Sequence, residues 1–183
     1  SEYQWIIDPL DGTTNFIHGL PVYAVSIALA HRGVIQQAVV YDPTRNDLFY
    51  ATKGRGAFLN DKRLRVAART RMDEAVLATG IPFIGHGQHA KFLKELHQIS
   101  QRVAGVRRFG SAALDLAYVA AGRQDGFWEY GCKPWDIAAG ILLVKEAGGY
   151  VSDLKGKPVD IAVGEILATN NMLHAPIQNL VGH

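Results

Sequence analysis

Two apolar runs, residues 22–30 and 34–41, constrain the fold of this chain more than any other feature of its sequence. Both are rich in β-branched residues, and only His31-Arg32-Gly33 separates them. They therefore predict two antiparallel strands joined by a tight turn. Residues 47–51 and 56–59 read as two further strands, turning at Lys53-Gly54-Arg55. Upstream, Ile6-Ile7 ends a short buried strand, and residues 8–14 form the loop that leaves it. This part of the chain is expected to be a mostly antiparallel sheet.

The hydrophobic period then changes. Over residues 88–103, Phe92, Leu93, Leu96, Ile99 and Val103 fall on one stripe, with Lys91, Lys94, Glu95 and Gln98 elsewhere, the pattern of an amphipathic helix. A second helix is expected over 111–121, with Ser111 as N-cap, Asp115 near its first turn and Gly122 beyond its end. A third covers 135–147, entered through Pro134 and stopped by Gly148-Gly149. Short strands fit between them at 106–109, 126–130, 150–152 and 165–168. Strands alternating with helices after a run of strands predict a layered α/β sandwich. No repeat, low-complexity tract or linker interrupts it, so residues 1–183 read as one domain.

Composition narrows the classes of function. Hydrophobic content of 48% and charged content of 20% are those of an ordinary globular protein, and a net charge of +2 does not by itself point to nucleic acid. A single cysteine, Cys132, excludes an internal disulfide and any multi-cysteine metal site, so a cytoplasmic location is expected. No apolar run is long enough to span a bilayer as a helix, and the first residues do not read as a signal peptide.

The chemistry concentrates in WIIDPLDGTTNF, residues 5–16. Phosphatases with an aspartyl nucleophile place their second acid two residues after the first, whereas Asp8-Pro9-Leu10-Asp11 is one residue longer. Positions two apart on an extended chain share a face and positions three apart do not. A loop bent at Pro9 instead lets Asp8, Asp11 and the Leu10 carbonyl surround hard cations from different sides, as Mg²⁺ requires. Gly12 lets the backbone approach an anion, and N–H groups at the start of a helix or turn point at phosphate oxygens. The Thr13 hydroxyl is placed to orient a metal-bound water. The alternative is a loop in which Asp8 and Asp11 only cap turns.

With KPWDIAAGILLVKEAGG, residues 133–149, this motif resembles those of the inositol monophosphatase family, in particular its bacterial inositol-1-monophosphatase (extragenic suppressor) branch. The intervening DPTRNDLFYATKGRGAFLN, RRFGSAALDLAYVAAGR and DGFWEYG are similar to that family as well, so the likeness runs through nearly the whole chain. The resemblance implies a layered αβαβα sandwich of the sugar-phosphatase type and a Mg²⁺-dependent phosphomonoesterase using two or three ions per site. It further implies a homodimer inhibited by Li⁺. It makes Asp8, Asp11, the Leu10 carbonyl and Asp136 metal ligands, and Gly12 and Thr13 the phosphate-binding pair, with Thr13 positioning the attacking water. Asp8, Asp11, Thr13 and Asp136 form the implied catalytic set. Gly110, Ser111, Ala112 and Glu129, with Asp11 and Asp136, are implied to meet the hydroxyls of the substrate. The expected substrate is inositol 1-phosphate; fructose 1,6-bisphosphate, 3′-phosphoadenosine nucleotides and histidinol phosphate are alternatives on the same metal core, selected in loops such as residues 82–88.

The family's other metal-binding carboxylate lies upstream of the first motif, and Glu2 is too close to be that residue. The expectation is that an N-terminal segment is absent and that these 183 residues alone are nearly inactive. A non-enzymatic alternative, an RNA or RNA polymerase contact, comes from the transcription-related roles of bacterial relatives.

Other features carry less. Gly54-Arg55-Gly56 lacks the third glycine of a dinucleotide fingerprint, because position 59 is Leu. His86 and His89 lack a third ligand and read as a surface pair rather than a zinc site. Cys132, Trp5 and Trp128 read as packing residues, and Trp135 as core or a wall of the site. Asp136 alone also reads as an ordinary acid in the first turn of a helix, where the dipole favours it. The basic groups Lys62, Arg63, Arg65, Arg69, Arg71 and Arg102, Arg107, Arg108 read as a solvated face or an oligomer surface, with nucleic acid as the alternative.

Overall fold

The computed structural model describes residues 2–83, 85 and 89–182. The first motif lies on β1 (Tyr3–Asp11), followed by the short helix α1 (Thr13–Ile17). The two apolar runs form β2 (Ala24–His31) and β3 (Val34–Asp42), and β4 (Asp47–Thr52), β5 (Gly56–Leu59) and β6 (Lys62–Arg63) complete an antiparallel meander in chain order. Arg32 and Gly33 turn the β2–β3 hairpin with φ of 49° and 77°, the left-handed pair that a two-residue loop of this twist requires. Alternate residues of β2 point inward, and most are small: Ala24, Ser26, Ala28 and Ala30 are all buried. A strand face made of alanines lets a helix lie close upon it.

The second sheet has the order β10-β11-β9-β7-β8. It is built from β7 (Val76–Thr79), β8 (Gly105–Arg107), β9 (Gly126–Glu129), β10 (Tyr150–Ser152) and β11 (Ile166–Thr169). β7 is parallel to both β8 and β9, and the remaining pairs are antiparallel. Between the sheets lie α3 (Ala112–Ala120) and α4 (Pro134–Glu146), whose Leu114, Leu116, Ile137 and Leu143 are fully buried. Each such side chain removed from water contributes about 1.5–3 kcal/mol. The two helices approach closely because Gly140 has no side chain; a Cβ there would lie 2.4 Å from Leu116 Cβ. On the far face of the second sheet, α2 (His89–Ser100) and α5 (His174–Gln178) cover Leu77, Trp128 and Leu167 with Phe92, Ile99, Leu173 and Ile177. The described residues thus stack as sheet, helices, sheet, helices, the layered α/β sandwich expected.

Several local expectations change. β1 runs on to Asp11 instead of ending at Ile7, with an irregularity in its pairing between Asp8 and Asp11, because residues beyond Pro9 still pair with β2. The strand β7 and the helix α5 had no clear signal: four residues and five are too short to display a period. Trp5 is 61% exposed, not core; it points away from α4 because Ile6 takes the inward position. Trp128 is fully buried as expected. His86 and Gln88 lie outside the described residues, and His89 Nε2 instead meets the Phe83 carbonyl at 3.1 Å. Among the described residues no helix is long and apolar enough to cross a membrane.

Candidate active site

All ten residues singled out from the two motifs and their resemblance line one cleft of about 310 Å³ at the ends of β1, β9 and the two central helices. Asp8 and Asp11 come from β1, and Asp136 from the first turn of α4. Their nearest carboxylate oxygens lie within 4.8 Å of one another. The irregularity between Asp8 and Asp11 is what turns two acids three positions apart toward the same point.

Each carboxylate has one oxygen held by a protein donor. The Leu10 amide donates to Asp8 Oδ1 at 3.0 Å, and the Lys133 amide to Asp136 Oδ2 at 2.7 Å. Asp11 Oδ2 accepts from the Ser111 hydroxyl at 2.5 Å and from the Ala113 amide at 2.9 Å. These bonds fix the rotamers while the acids crowd together. Burial, followed by the charges of Asp136 and Asp8, lifts the Asp11 carboxyl to about 6 despite those two donors. Burial and Asp8 also raise Asp136. Three hard oxygen donors forced together at this cost suit a divalent cation, which would neutralise them. A larger cavity of about 580 Å³ beside β1 and α4 brings together no such set of carboxylates.

Next to the acids, Gly12 has φ of 86°, and a Cβ on it would lie 2.8 Å from the Val22 carbonyl. Only glycine fits both the conformation and the space. It places the first turn of α1 against the cleft. The Thr13 hydroxyl donates to the Leu10 carbonyl at 3.0 Å, so that carbonyl keeps one lone pair for another partner.

The opposite wall is Gly110-Ser111-Ala112 and Glu129. Ser111 caps α3 by accepting from the Leu114 amide at 3.3 Å while it donates to Asp11. Glu129 reaches the cleft across Gly80, where a Cβ would lie 2.0 Å from the Glu129 carboxyl carbon. Burial, then the charges of Asp11 and Asp136, lift the Glu129 carboxyl to about 8.

Asp115, Arg108 and Gly80 line the cleft without a functional assignment from the sequence. Asp115 looked like a first-turn helix acid, yet it is 1% exposed, lines the cleft and has no hydrogen bond to Oδ1 among the described residues. Its burial beside Glu129 pushes its carboxyl well above the usual range. Arg108 belongs to the cleft rather than to a plain basic surface, and its Nη1 would lie 2.3 Å from a Cβ on Gly110. Gly80 follows the unrecognised strand β7, while Phe83 comes from the loop 82–88 expected to select the substrate. Trp135, 45% exposed, is a wall of the cleft and not core. Cys132 is buried packing, as expected.

The sequence matches the model of the inositol monophosphatase family over residues 1–181. It is 57% identical over 178 residues to an inositol-1-monophosphatase of Caulobacter vibrioides, covering 96% of this chain and 70% of that protein. It is 54% identical over 169 residues to the Nus factor SuhB of Escherichia coli, covering 92% of this chain and 63% of that protein. The crystal structure of the extragenic suppressor protein suhB from Bartonella henselae superposes with a TM-score of 0.96 at 50% identity, over 98% of this chain and 69% of that one. With a cleft in which the acids of both sequence motifs converge, and a family match over residues 1–181, this chain belongs to the inositol monophosphatase family.

Proposed function

We propose that the protein hydrolyses a phosphomonoester, with inositol 1-phosphate as substrate and Mg²⁺ held by Asp8, Asp11, Asp136 and the Leu10 carbonyl. The observation that carries this reading is the convergence of the three carboxylates within 4.8 Å beside the Gly12–Thr13 turn. Bound there, Mg²⁺ supplies charge neutralisation and an activated water. The chain's own residues do the rest. The amides after Gly12 and the start of α1 receive phosphate oxygens, and the Thr13 hydroxyl, anchored on the Leu10 carbonyl, orients the attacking water. Ser111 and the Ala113 amide hold Asp11 in place. Glu129 and the Gly110–Ala112 turn meet the substrate hydroxyls, while Trp135 shields one side of the cleft.

The name of the Caulobacter relative favours inositol 1-phosphate over fructose 1,6-bisphosphate, 3′-phosphoadenosine nucleotides and histidinol phosphate. Phosphate release from that panel, with Mg²⁺ and with or without Li⁺, tests the assignment. Inositol 1-phosphate is expected to be turned over fastest, with Li⁺ inhibiting and Asp136→Asn abolishing release. Release unaffected by that substitution would overturn the site. Running this chain beside one extended to its relatives' length tests whether the present residues suffice, and size measurements on both test the expected homodimer.

A second reading rests on relatives named Nus factor SuhB, including the one from Escherichia coli. Such a role is contact with RNA or RNA polymerase. Salt-sensitive binding to either, retained in Asp11→Asn, would support it independently of catalysis.

A further inference from the structure

The segment after β8 serves two cavities at once. Arg108 and Gly110 face the active-site cleft, while Arg107 and Phe109 line a separate cavity of about 450 Å³ on the other side, following the alternation of an extended chain. Arg45, Arg123, Tyr118 and Gln124 complete much of that second cavity. Three guanidinium groups therefore stand on its walls.

Two of them are held in place from behind. Arg45 Nη1 donates to Asp42 Oδ2 at 2.9 Å, and Arg123 donates through both Nη1 and Nη2 to Asp47 Oδ2 at 3.0 Å. Arg123 is also laid over the Tyr118 and Phe49 rings, 5.1 and 5.6 Å from their centroids. The acids are the hidden partners: the Asp42 side chain is 0% exposed and Asp47 16%, against 47% for Arg45 and 40% for Arg123. The cavity therefore presents the positive ends of both pairs to solvent. Arg107 adds a charge with no carboxylate partner among the described residues; its Nη1 donates only to the Val106 carbonyl at 3.2 Å. Two anchored guanidinium groups and the unpaired Arg107, set against two recessed acids, form an anion cradle, and guanidinium forks match the geometry of phosphate oxygens.

We propose that this cavity is a second anion site, taking inorganic phosphate or the phosphate end of a small phosphomonoester. It is separate from the catalytic cleft and stands whether or not the cleft is a phosphatase site.

The test is a titration of the protein with inorganic phosphate in EDTA, at constant ionic strength set by NaCl, followed through the arginine side-chain NMR signals. Saturable shifts of the Arg45, Arg107 and Arg123 signals are expected, unchanged in Asp11→Asn. In Arg107→Gln, an exposed position that leaves the core intact, the affinity is expected to fall about tenfold or more, with Arg107→Lys intermediate. Shifts that chloride reproduces, shifts confined to Arg108, or an Arg107→Gln protein binding as well as the parent would each overturn the proposal. A short single-stranded RNA separates the two sources of phosphate. If the RNA saturates these signals and free phosphate does not, the small-anion assignment fails.

Discussion

Replacing Asp11 by asparagine should make the metal-free protein more stable while destroying its response to Mg²⁺. The folded protein lifts the Asp11 carboxyl from 3.8 to about 6, and each pH unit of such a rise corresponds to about 1.4 kcal/mol. Ionised Asp11 therefore costs the folded state about 3 kcal/mol above pH 6. The sign follows from proton binding. The folded state holds this proton more tightly than the unfolded chain, so the stability it confers is complete below about pH 4 and is lost as pH rises through 6. Asparagine keeps an acceptor for Ser111 and Ala113 but weakens two charge-assisted bonds, giving back about 1 kcal/mol. Urea unfolding in EDTA at pH 8 should then show Asp11→Asn about 2 kcal/mol more stable than the parent, with the advantage gone at pH 4. With Mg²⁺ at a hundred times its dissociation constant, the parent should gain about 2.7 kcal/mol and the variant almost nothing, so the order reverses. An Asp11→Asn protein less stable than the parent at pH 8 in EDTA would refute the claim that these acids are crowded for the sake of a cation.

The other predictions concern neighbouring contacts. Gly12→Ala, with its Cβ 2.8 Å from the Val22 carbonyl at a φ of 86°, should cost about 1–3 kcal/mol in unfolding and abolish phosphate release. Gly80→Ala pushes a methyl into the Glu129 carboxyl; steady-state kinetics should show KM rising more than kcat falls, since Glu129 is assigned to the substrate's hydroxyls and not to the metal. His174, buried between the Ser152 and Thr169 hydroxyls at 2.9 and 2.7 Å, is held down to about 4 by burial. Here the unfolded chain takes the proton first, so the stability is present above pH 6.5 and is lost as pH falls through 4, by up to about 3 kcal/mol. It runs opposite to the Asp11 effect, so the Asp11→Asn background should expose it, and His174→Gln should flatten the remaining pH dependence of the unfolding midpoint.

Much of this architecture was legible because it rests on local chemistry. The β2–β3 hairpin followed from two β-branched runs around a turn, and α3 from Ser111 and Gly122 at its ends. Short elements with no period, β7 and α5, were not visible, and with β7 went the role of Gly80. Trp5 misled because an apolar side chain on a strand has two faces to choose from, and only the position of α4 selects one.

For the site, the sequence alone determined the ligand types, the spacing that argues against an aspartyl nucleophile, the glycine at position 12 and the motifs shared with the family. Tertiary structure decided which of these groups meet. Asp136 joins Asp8 and Asp11 because α4 starts where β1 ends, and Asp115 becomes a buried acid of the cleft because α3 turns it inward. The same packing sends Arg108 to one cavity and Arg107 to another. A residue's chemistry is written in its side chain, but its charge state and its partners depend on which distant surfaces exclude water from it.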